Sequence, residues 1–117
     1  MIVGSIKEDL TLEKRVSITP ETAKNILGLG LKVCIEKDYA VHLGIQDDDY
    51  KSVGVEIKVN ADEVLSFSNL IIKVNCPSEK EITNLKENTI LIGMLNPLNN
   101  KNQINKIIEN KINLFSL

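Results

Sequence analysis

The chain has no tryptophan, only two phenylalanines and two tyrosines, and a single histidine among its 117 residues. So few aromatic side chains, with a formal net charge of −2, argue against a surface that binds nucleic acid. One histidine cannot build a histidine-based metal cluster. The two cysteines, Cys34 and Cys76, stand far apart and match no metal-binding or redox spacing. Both adjoin apolar runs, which predicts buried free thiols in a reducing compartment.

Long hydrophobic runs are absent as well. No run approaches the roughly 20 apolar residues that cross a bilayer, and the opening residues MIVG lack the basic and apolar regions of a signal peptide. Apolar residues make up 43% of the chain and charged residues 26%, as in ordinary globular proteins. We therefore expect a soluble, cytosolic segment that forms one domain or part of one, with a core of Ile, Leu and Val.

Strand-like and helix-like segments alternate along the whole chain. Short apolar runs of strand length occupy residues 2–7, 31–36, 55–59, 69–75, 89–95 and 112–117. Helix signals lie between them, near residues 19–30, 47–54, 60–65, 78–85 and 100–110. This order predicts right-handed crossovers and an α/β fold. We expect a Rossmann-like (flavodoxin-like), doubly wound, mostly parallel sheet of about six strands with helices on both faces.

Two of the helix starts carry a specific signature. Thr19 has the side chain of an N-cap, and Pro20 suits the first helical position because its missing N–H is not needed there. Ser78 and Glu81 have the spacing of a capping box. These residues predict helices that begin at Pro20 and just after Ser78.

Arginine is nearly absent, since thirteen of the fourteen basic residues are lysine. The exception, Arg15, lies in EKRVSITP (residues 13–20), within a polar stretch that follows the first strand. A guanidinium grips a carboxylate or phosphate with two parallel hydrogen bonds, which a lysine cannot do. Ligands of open α/β sheets bind beyond the carboxyl ends of the strands. Arg15 is therefore a candidate binding residue, and a surface arginine kept by chance is the alternative.

Two more polar features are expected at the same edge of the sheet. Lys73 lies near the end of an apolar strand, and Asn96 with Pro97 follows the next strand. A lysine in such a strand needs a partner or an exit to water, because an unpaired buried ammonium is costly. Lys73 therefore either faces a ligand or extends its ammonium to water at the strand end.

Three other motifs indicate structure rather than chemistry. The sequence Gly28-Leu29-Gly30 lacks the third glycine of an NAD-binding turn and precedes a strand instead of following one. The acidic run Asp47-Asp48-Asp49 is typical of a helix start. His42 is interpreted as a loop histidine.

Together, residues 13–20, the run Ile72-Lys73-Val74-Asn75-Cys76-Pro77 and the Asn96-Pro97 turn resemble the N-terminal part of the alanine dehydrogenase/pyridine-nucleotide transhydrogenase family. The resemblance covers essentially the whole chain. It implies that residues 1–117 form the first of two Rossmann-like domains in a longer NAD(H)-binding subunit. It also implies that NAD(H) binds mainly beyond Leu117, and it points to no cofactor-binding or metal-binding residue in this segment.

The resemblance also separates two branches of the family. In alanine dehydrogenases, the counterparts of Arg15 and Lys73 hold the keto acid, and a histidine stands where this chain has Asn96. An amide cannot shuttle protons as that histidine does. The segment therefore looks closest to a transhydrogenase alpha subunit, which takes part in hydride transfer from NADH to NADP⁺. Arg15, Lys73 and Asn96 would then be substrate-pocket-like residues, none of them catalytic, and both cations could instead pair with acids such as Glu8 or Glu13.

That branch implies several partners: the remainder of the alpha subunit, membrane subunits, an NADP(H)-binding component and a second copy in a homodimer. It implies a location on the cytoplasmic side of the bacterial inner membrane. Two alternatives stay open. One is an NAD-dependent alanine dehydrogenase, and the other is a non-enzymatic flavodoxin-like or receiver-like module with Glu8 and Asp9 as its acid pair.

Overall fold

A computed structural model describes residues 1–117. The strands are β1 Ile2–Ser5, β2 Lys32–Glu36, β3 Glu56–Lys58, β4 Leu70–Asn75, β5 Ile90–Met94 and β6 Asn113–Ser116. The helices are α1 Pro20–Gly28, α2 Asp47–Lys51, α3 Ala61–Phe67, α4 Glu79–Thr83 and α5 Lys101–Glu109, with a 3₁₀ turn at Val41–Leu43. Each predicted strand is present and is one or two residues shorter than its apolar run. The 3₁₀ turn was not among the predicted elements.

The six strands form one sheet in the order β3-β2-β1-β4-β5-β6, and every neighbouring pair is parallel. The predicted doubly wound α/β architecture is therefore confirmed. The chain runs outward from the central β1 to β3 and then crosses back to β4. This reversal creates a switch point between β1 and β4, where crevices form at the carboxyl ends of the strands.

Helices cover the two faces of the sheet unequally. Helices α1 and α2 pack on one face, over a cluster made of Val3, Ile18, Ala23, Val33, Ile35, Tyr39, Ala40, Tyr50 and Val55. Helices α3, α4 and α5 pack on the other face, over a cluster made of Ile6, Cys34, Val64, Leu65, Ile71, Ile82, Leu85, Leu91, Leu95, Ile107 and Ile112. On the face of α1 and α2, the far strands β5 and β6 remain uncovered. Met94, Phe115 and Leu117 are 45%, 60% and 84% exposed there.

The helix starts follow the predicted chemistry. The Thr19 side chain accepts a hydrogen bond from the N–H of Thr22, and Pro20 is the first residue of α1. Ser78 and Glu81 form a reciprocal capping box at α4. These bonds satisfy N–H groups that a helix cannot satisfy internally.

The cysteines differ in burial. Cys34 is 1% exposed, but the prediction of burial is wrong for Cys76, which is only partly buried. Cys76 lies beyond the end of β4, in the turn that leads to α4, where the sheet no longer covers it. The longest helices have nine residues, and no helix combines the length and apolarity that crossing a membrane requires.

Gly93 provides a test of the close packing between β4 and β5. A Cβ at Gly93 would overlap the backbone oxygen of Lys73, whereas a Cβ at Gly28 would have no heavy atom within 4 Å. We expect Gly93→Ala to lower the free energy of unfolding by about 1–3 kcal/mol, because a backbone must shift. Gly28→Ala is expected to raise it by about 0.4–1 kcal/mol. Urea unfolding measures both values, and equal changes at the two positions would contradict the close approach.

Candidate functional site

The candidate site lies where β1 and β4 separate. Backbone pairing between these strands ends at Gly4 and Ile71. Beyond that point, side chains from the end of β1 and the following loop hold β4. The Ser5 hydroxyl donates to the carbonyl of Ile72 at 2.6 Å, and the Glu8 carboxylate reaches the next three residues of β4.

Glu8 is the central acceptor of the site, and its side chain is 0% exposed. Oε1 accepts hydrogen bonds from Nζ of Lys73 and the N–H of Asn75, both at 3.1 Å. Oε2 accepts from the N–H of Val74 at 2.9 Å. The register of β4 against β5 shifts between Ile72 and Asn75, which lets two consecutive N–H groups face one carboxylate. Glu8 thus ties the loop after β1 to β4.

Lys73 is the buried cation of the site, with a side chain that is 5% exposed. Its ammonium donates to Glu8, so it does not extend to water as one sequence interpretation suggested. Both charges are out of water and depend on each other, since removing either partner leaves an uncompensated buried charge. The sequence allowed Lys73 to pair with an acid such as Glu8, and the structure contains that pair.

Arg15 belongs to a different environment, since its side chain is 66% exposed. Its Nε and Nη2 donate to the two carboxylate oxygens of Glu13, each at 2.9 Å, and its backbone N–H donates to Glu13 as well. These hydrogen bonds from Arg15 lower the pKa of the Glu13 carboxyl to about 2 and raise the pKa of Arg15. The planar fork of donors is therefore occupied by a carboxylate of its own loop.

The three sequence-predicted site residues do not share one cavity. Arg15 and Lys73 both border an apolar groove of about 270 Å³, with Ile72 and Met94 among its walls. Lys73 also borders a polar cavity of about 480 Å³ beside Glu8. Asn96 borders a further cavity of about 480 Å³, which adjoins the polar cavity and shares Asn75 and Cys76 with it. The structure thus brings Arg15 and Lys73 to one groove and places Asn96 on an adjoining cavity, which shares Met94 with that groove.

Asn96 occupies the turn after β5 with a left-handed φ of 42°. Asparagine adopts this region more readily than most residues. The turn is closed by Asn100, whose Nδ2 donates to the carbonyls of Leu95 and Asn96 at 2.9 and 3.2 Å. Asn96 therefore offers a neutral amide at the cavity wall.

These groups suit the binding of a ligand better than proton transfer. Each cation is already paired with an acid, so an anionic ligand at Arg15 must compete with Glu13. Burial raises the pKa of the Cys76 thiol, which keeps the group protonated and a weak nucleophile. The Asn96 amide does not act as an acid or a base near neutral pH. The arrangement can orient a polar ligand, and it provides no general acid or base beside Asn96.

Residues outside the site have structural partners. Nε2 of His42 bonds to the carbonyl of Lys14 at 2.8 Å, and Asp47, Asp48 and Asp49 form the first turn of α2 as predicted. No group of three or more His, Cys, Asp or Glu side chains lies close enough together to hold a metal ion.

Sequence reasoning did not identify Ser5 as a site residue, nor Tyr39, whose hydroxyl bonds to it. A serine at the end of an apolar strand was the available signal for Ser5. Nothing in the sequence around Tyr39 indicated its contact.

Comparison with known proteins identifies the family. The profile described as "Alanine dehydrogenase/PNT, N-terminal domain" matches residues 4–117. The chain belongs to this family. Its members include an NAD(P) transhydrogenase subunit and an alanine dehydrogenase, which are oxidoreductases, and the resemblance inferred from residues 13–20 and the end of β4 is confirmed.

Similar proteins come from both branches. The NAD(P) transhydrogenase subunit alpha of Haemophilus influenzae is 32% identical over 117 residues, which cover 100% of this chain and 22% of that protein. The alanine dehydrogenase of Methanococcus maripaludis is 38% identical over 95 residues, covering 81% of this chain and 26% of that one. A crystal structure of transhydrogenase from Sinorhizobium meliloti superposes with a TM-score of 0.92 at 26% identity, over 99% of this chain and 34% of that one. The chain thus spans about a third or less of the length of these relatives.

The buried ion pair yields a stability prediction. Glu8→Gln removes the charge beside Lys73 and one acceptor oxygen, so we expect the free energy of unfolding to fall by about 3–5 kcal/mol. Glu87→Gln is the matched control, because Glu87 pairs with Lys111 at 3.5 Å on the exposed surface. That change should cost about 0–1 kcal/mol. Urea unfolding of both variants measures the two changes in the free energy of unfolding. Similar losses in the two variants would contradict the central role of Glu8.

The Glu13–Arg15 pair yields a titration prediction. The ordinary pKa of Glu13 is 4.5 and the folded value is about 2, so the pair stabilises the loop above about pH 4.5. That contribution disappears as the pH falls through about 2. In Arg15→Lys the planar fork is lost, and we expect the Glu13 pKa to move back toward 4.5. Carboxyl ¹³C NMR measures the titration, and an unchanged pKa in the variant would contradict the assigned cause.

Proposed function

We propose that this chain is the N-terminal part of the NAD(H)-binding component of a proton-translocating NAD(P) transhydrogenase, and that it forms one wall of the cofactor cleft. In that reaction a hydride passes from NADH to NADP⁺, which leaves NAD⁺ and NADPH. Membrane subunits couple the transfer to proton movement. The observation that carries the proposal is the site itself, in which both cations are neutralised by acids of this chain and Asn96 supplies only an amide.

The site supports this branch because a keto-acid dehydrogenase needs an acid–base group and a cation that is not already paired with an acid of its own chain. Here the Glu13 carboxylate accepts two hydrogen bonds of 2.9 Å from the Arg15 guanidinium, and Glu8 pairs with the buried Lys73. We assign Arg15, Lys73 and Asn96 to the wall of a pocket, with no catalytic role. In this proposal NAD(H) binds mainly outside the 117 residues, and no metal takes part.

The comparisons include both branches, with the higher identity on the alanine dehydrogenase side (38% against 32%) and the fuller alignment on the transhydrogenase side. The Haemophilus influenzae transhydrogenase subunit alpha aligns with 100% of this chain, whereas the Methanococcus maripaludis alanine dehydrogenase aligns with 81%. A second transhydrogenase alpha chain, from Rickettsia prowazekii, also aligns with 100% of this chain and is 30% identical to it.

The proposed partners are the remainder of the alpha subunit, the membrane subunits, an NADP(H)-binding component and a second copy in a homodimer. The proposed location is the cytoplasmic side of the bacterial inner membrane. The uncovered side of β5 and β6 supports such contacts, because parallel sheets are normally covered on both faces. Met94, Phe115 and Leu117 are exposed on that side.

A second candidate function is that of an NAD-dependent alanine dehydrogenase. The observation in its favour is that Arg15 and Lys73 border one groove, although Lys73 is paired with Glu8. A keto acid could bind there if its carboxylate displaced Glu13 from Arg15. This reaction would need a proton donor other than Asn96.

Calorimetric titration of the purified chain tests the two functions. We expect no heat of binding with NADH or with pyruvate, because the cofactor site lies elsewhere and both cations are already paired. Circular dichroism of the same sample must show the folded α/β signal. Pyruvate binding that disappears in Arg15→Lys would instead favour the alanine dehydrogenase. Tight NADH binding would overturn the placement of the cofactor outside this segment.

A further inference from the structure

The backbone that carries Arg15 is held by an unusual concentration of side chains. The chain has two tyrosines and one histidine, and all three bond to residues 14–18. The Tyr39 hydroxyl lies 3.1 Å from the N–H of Ser17 and 3.3 Å from the next N–H. The Tyr50 hydroxyl donates to a carbonyl of the same segment at 2.7 Å, and His42 bonds to another at 2.8 Å. Residues 14–18, here called the Arg15 loop, belong to no helix or strand, yet their backbone groups bond to these three side chains.

The direction of the hydrogen bonds at Tyr39 follows from counting protons. The Ser5 hydroxyl has one proton, and it donates that proton to the carbonyl of Ile72 at 2.6 Å. The 2.8 Å contact between the hydroxyls of Ser5 and Tyr39 must therefore have Tyr39 as its donor. The Tyr39 oxygen is then free to accept from the N–H groups of Ser17 and Ile18. These groups form one polarised chain from the Arg15 loop to β4.

The geometry points to a positioning role for the Tyr39 and Ser5 hydroxyls: they fix the loop of Arg15 relative to the part of β4 that carries Lys73. The inference rests on the proposed function, since it takes the groove between these two cations to be part of the ligand cleft. Ile72, which ends the hydrogen-bonded chain, directly precedes Lys73. The distance between the two sides of the groove is thereby held by buried groups.

The surroundings of Tyr39 suit this role. Tyr39 is 1% exposed and Ser5 is 0% exposed, so water does not compete for their hydrogen bonds. The rings of Tyr39 and Tyr50 meet edge to face, with centroids 5.8 Å apart, which limits rotation of the phenol. Burial raises the pKa of the Tyr39 hydroxyl, which therefore remains a proton donor at neutral pH.

Tyr50 offers a matched control within the same cluster. Its hydroxyl also bonds to the Arg15 loop, at the carbonyl of Ile18, but it makes no hydrogen bond to β4. Both tyrosines are buried and pack on each other. Loss of either hydroxyl removes a buried hydrogen bond to the loop, but only the loss of Tyr39 breaks the connection to β4.

The test compares Tyr39→Phe, Ser5→Ala and Tyr50→Phe in the 117-residue chain, by amide hydrogen exchange measured with NMR. The informative amides are those of Val74 and Asn75 in β4, normalised to the amide of Leu91 in the core. We expect Tyr39→Phe and Ser5→Ala each to accelerate exchange at Val74 and Asn75 at least about tenfold relative to Leu91, because local opening no longer has to break the hydroxyl chain. Tyr50→Phe should leave that ratio unchanged, because a general loss of stability affects all three amides.

The outcomes separate this inference from the proposed function. An unchanged ratio in both Tyr39→Phe and Ser5→Ala would overturn the positioning role, as would an equal acceleration in Tyr50→Phe. If Tyr39→Phe does not fold, Ser5→Ala gives the same comparison, since it breaks the chain at its other hydroxyl. The exchange is measured without ligand, so its result does not depend on whether NADH or pyruvate binds.

Discussion

A buried carboxylate needs hydrogen-bond donors in place of water, and all the donors to Glu8 lie on strand β4. The ammonium of Lys73 and the N–H groups of Val74 and Asn75 converge on it. The irregular end of β4, the burial of a lysine and the position of the loop after β1 all depend on this contact. Because β1 and β4 border the switch point, the same contact shapes the crevice where a doubly wound sheet binds its ligands.

The site joins two kinds of restraint that differ in their exposure to solvent. Around Lys73 the partners are buried, and their arrangement changes only when the strands move. Around Arg15 the carboxylate of Glu13 is a local partner, two residues away on an exposed loop. The hydroxyls of Tyr39 and Ser5 connect the two regions. The groove that Arg15 and Lys73 border therefore has a buried ion pair on one side and an exposed ion pair on the other.

The sequence predicted the order of the elements and the placement of helices on both faces, because these depend on the period of the apolar residues. It also predicted the family, because a few specific residues carry the resemblance. Thr19 with Pro20, and Ser78 with Glu81, marked helix starts that the structure contains. The partners of the cations could not be assigned from sequence. Glu8 and Lys73 are 65 positions apart, and nothing local distinguishes Glu8 from Glu13 as the partner of a given cation. The contact of Tyr39 with Ser5 spans 34 positions and gave no sequence signal.

The separation along the chain of Glu8 and its donors also bears on the kinetics of folding. These contacts join residues 65 to 67 positions apart, so they require β1 and β4 to be neighbours in the sheet already. We expect contacts of such long range to form late in folding, and interactions that are absent from the transition state act mainly on the rate of unfolding. On that expectation, the bonds from Glu8 to β4 slow the opening of the folded sheet more than they speed its formation.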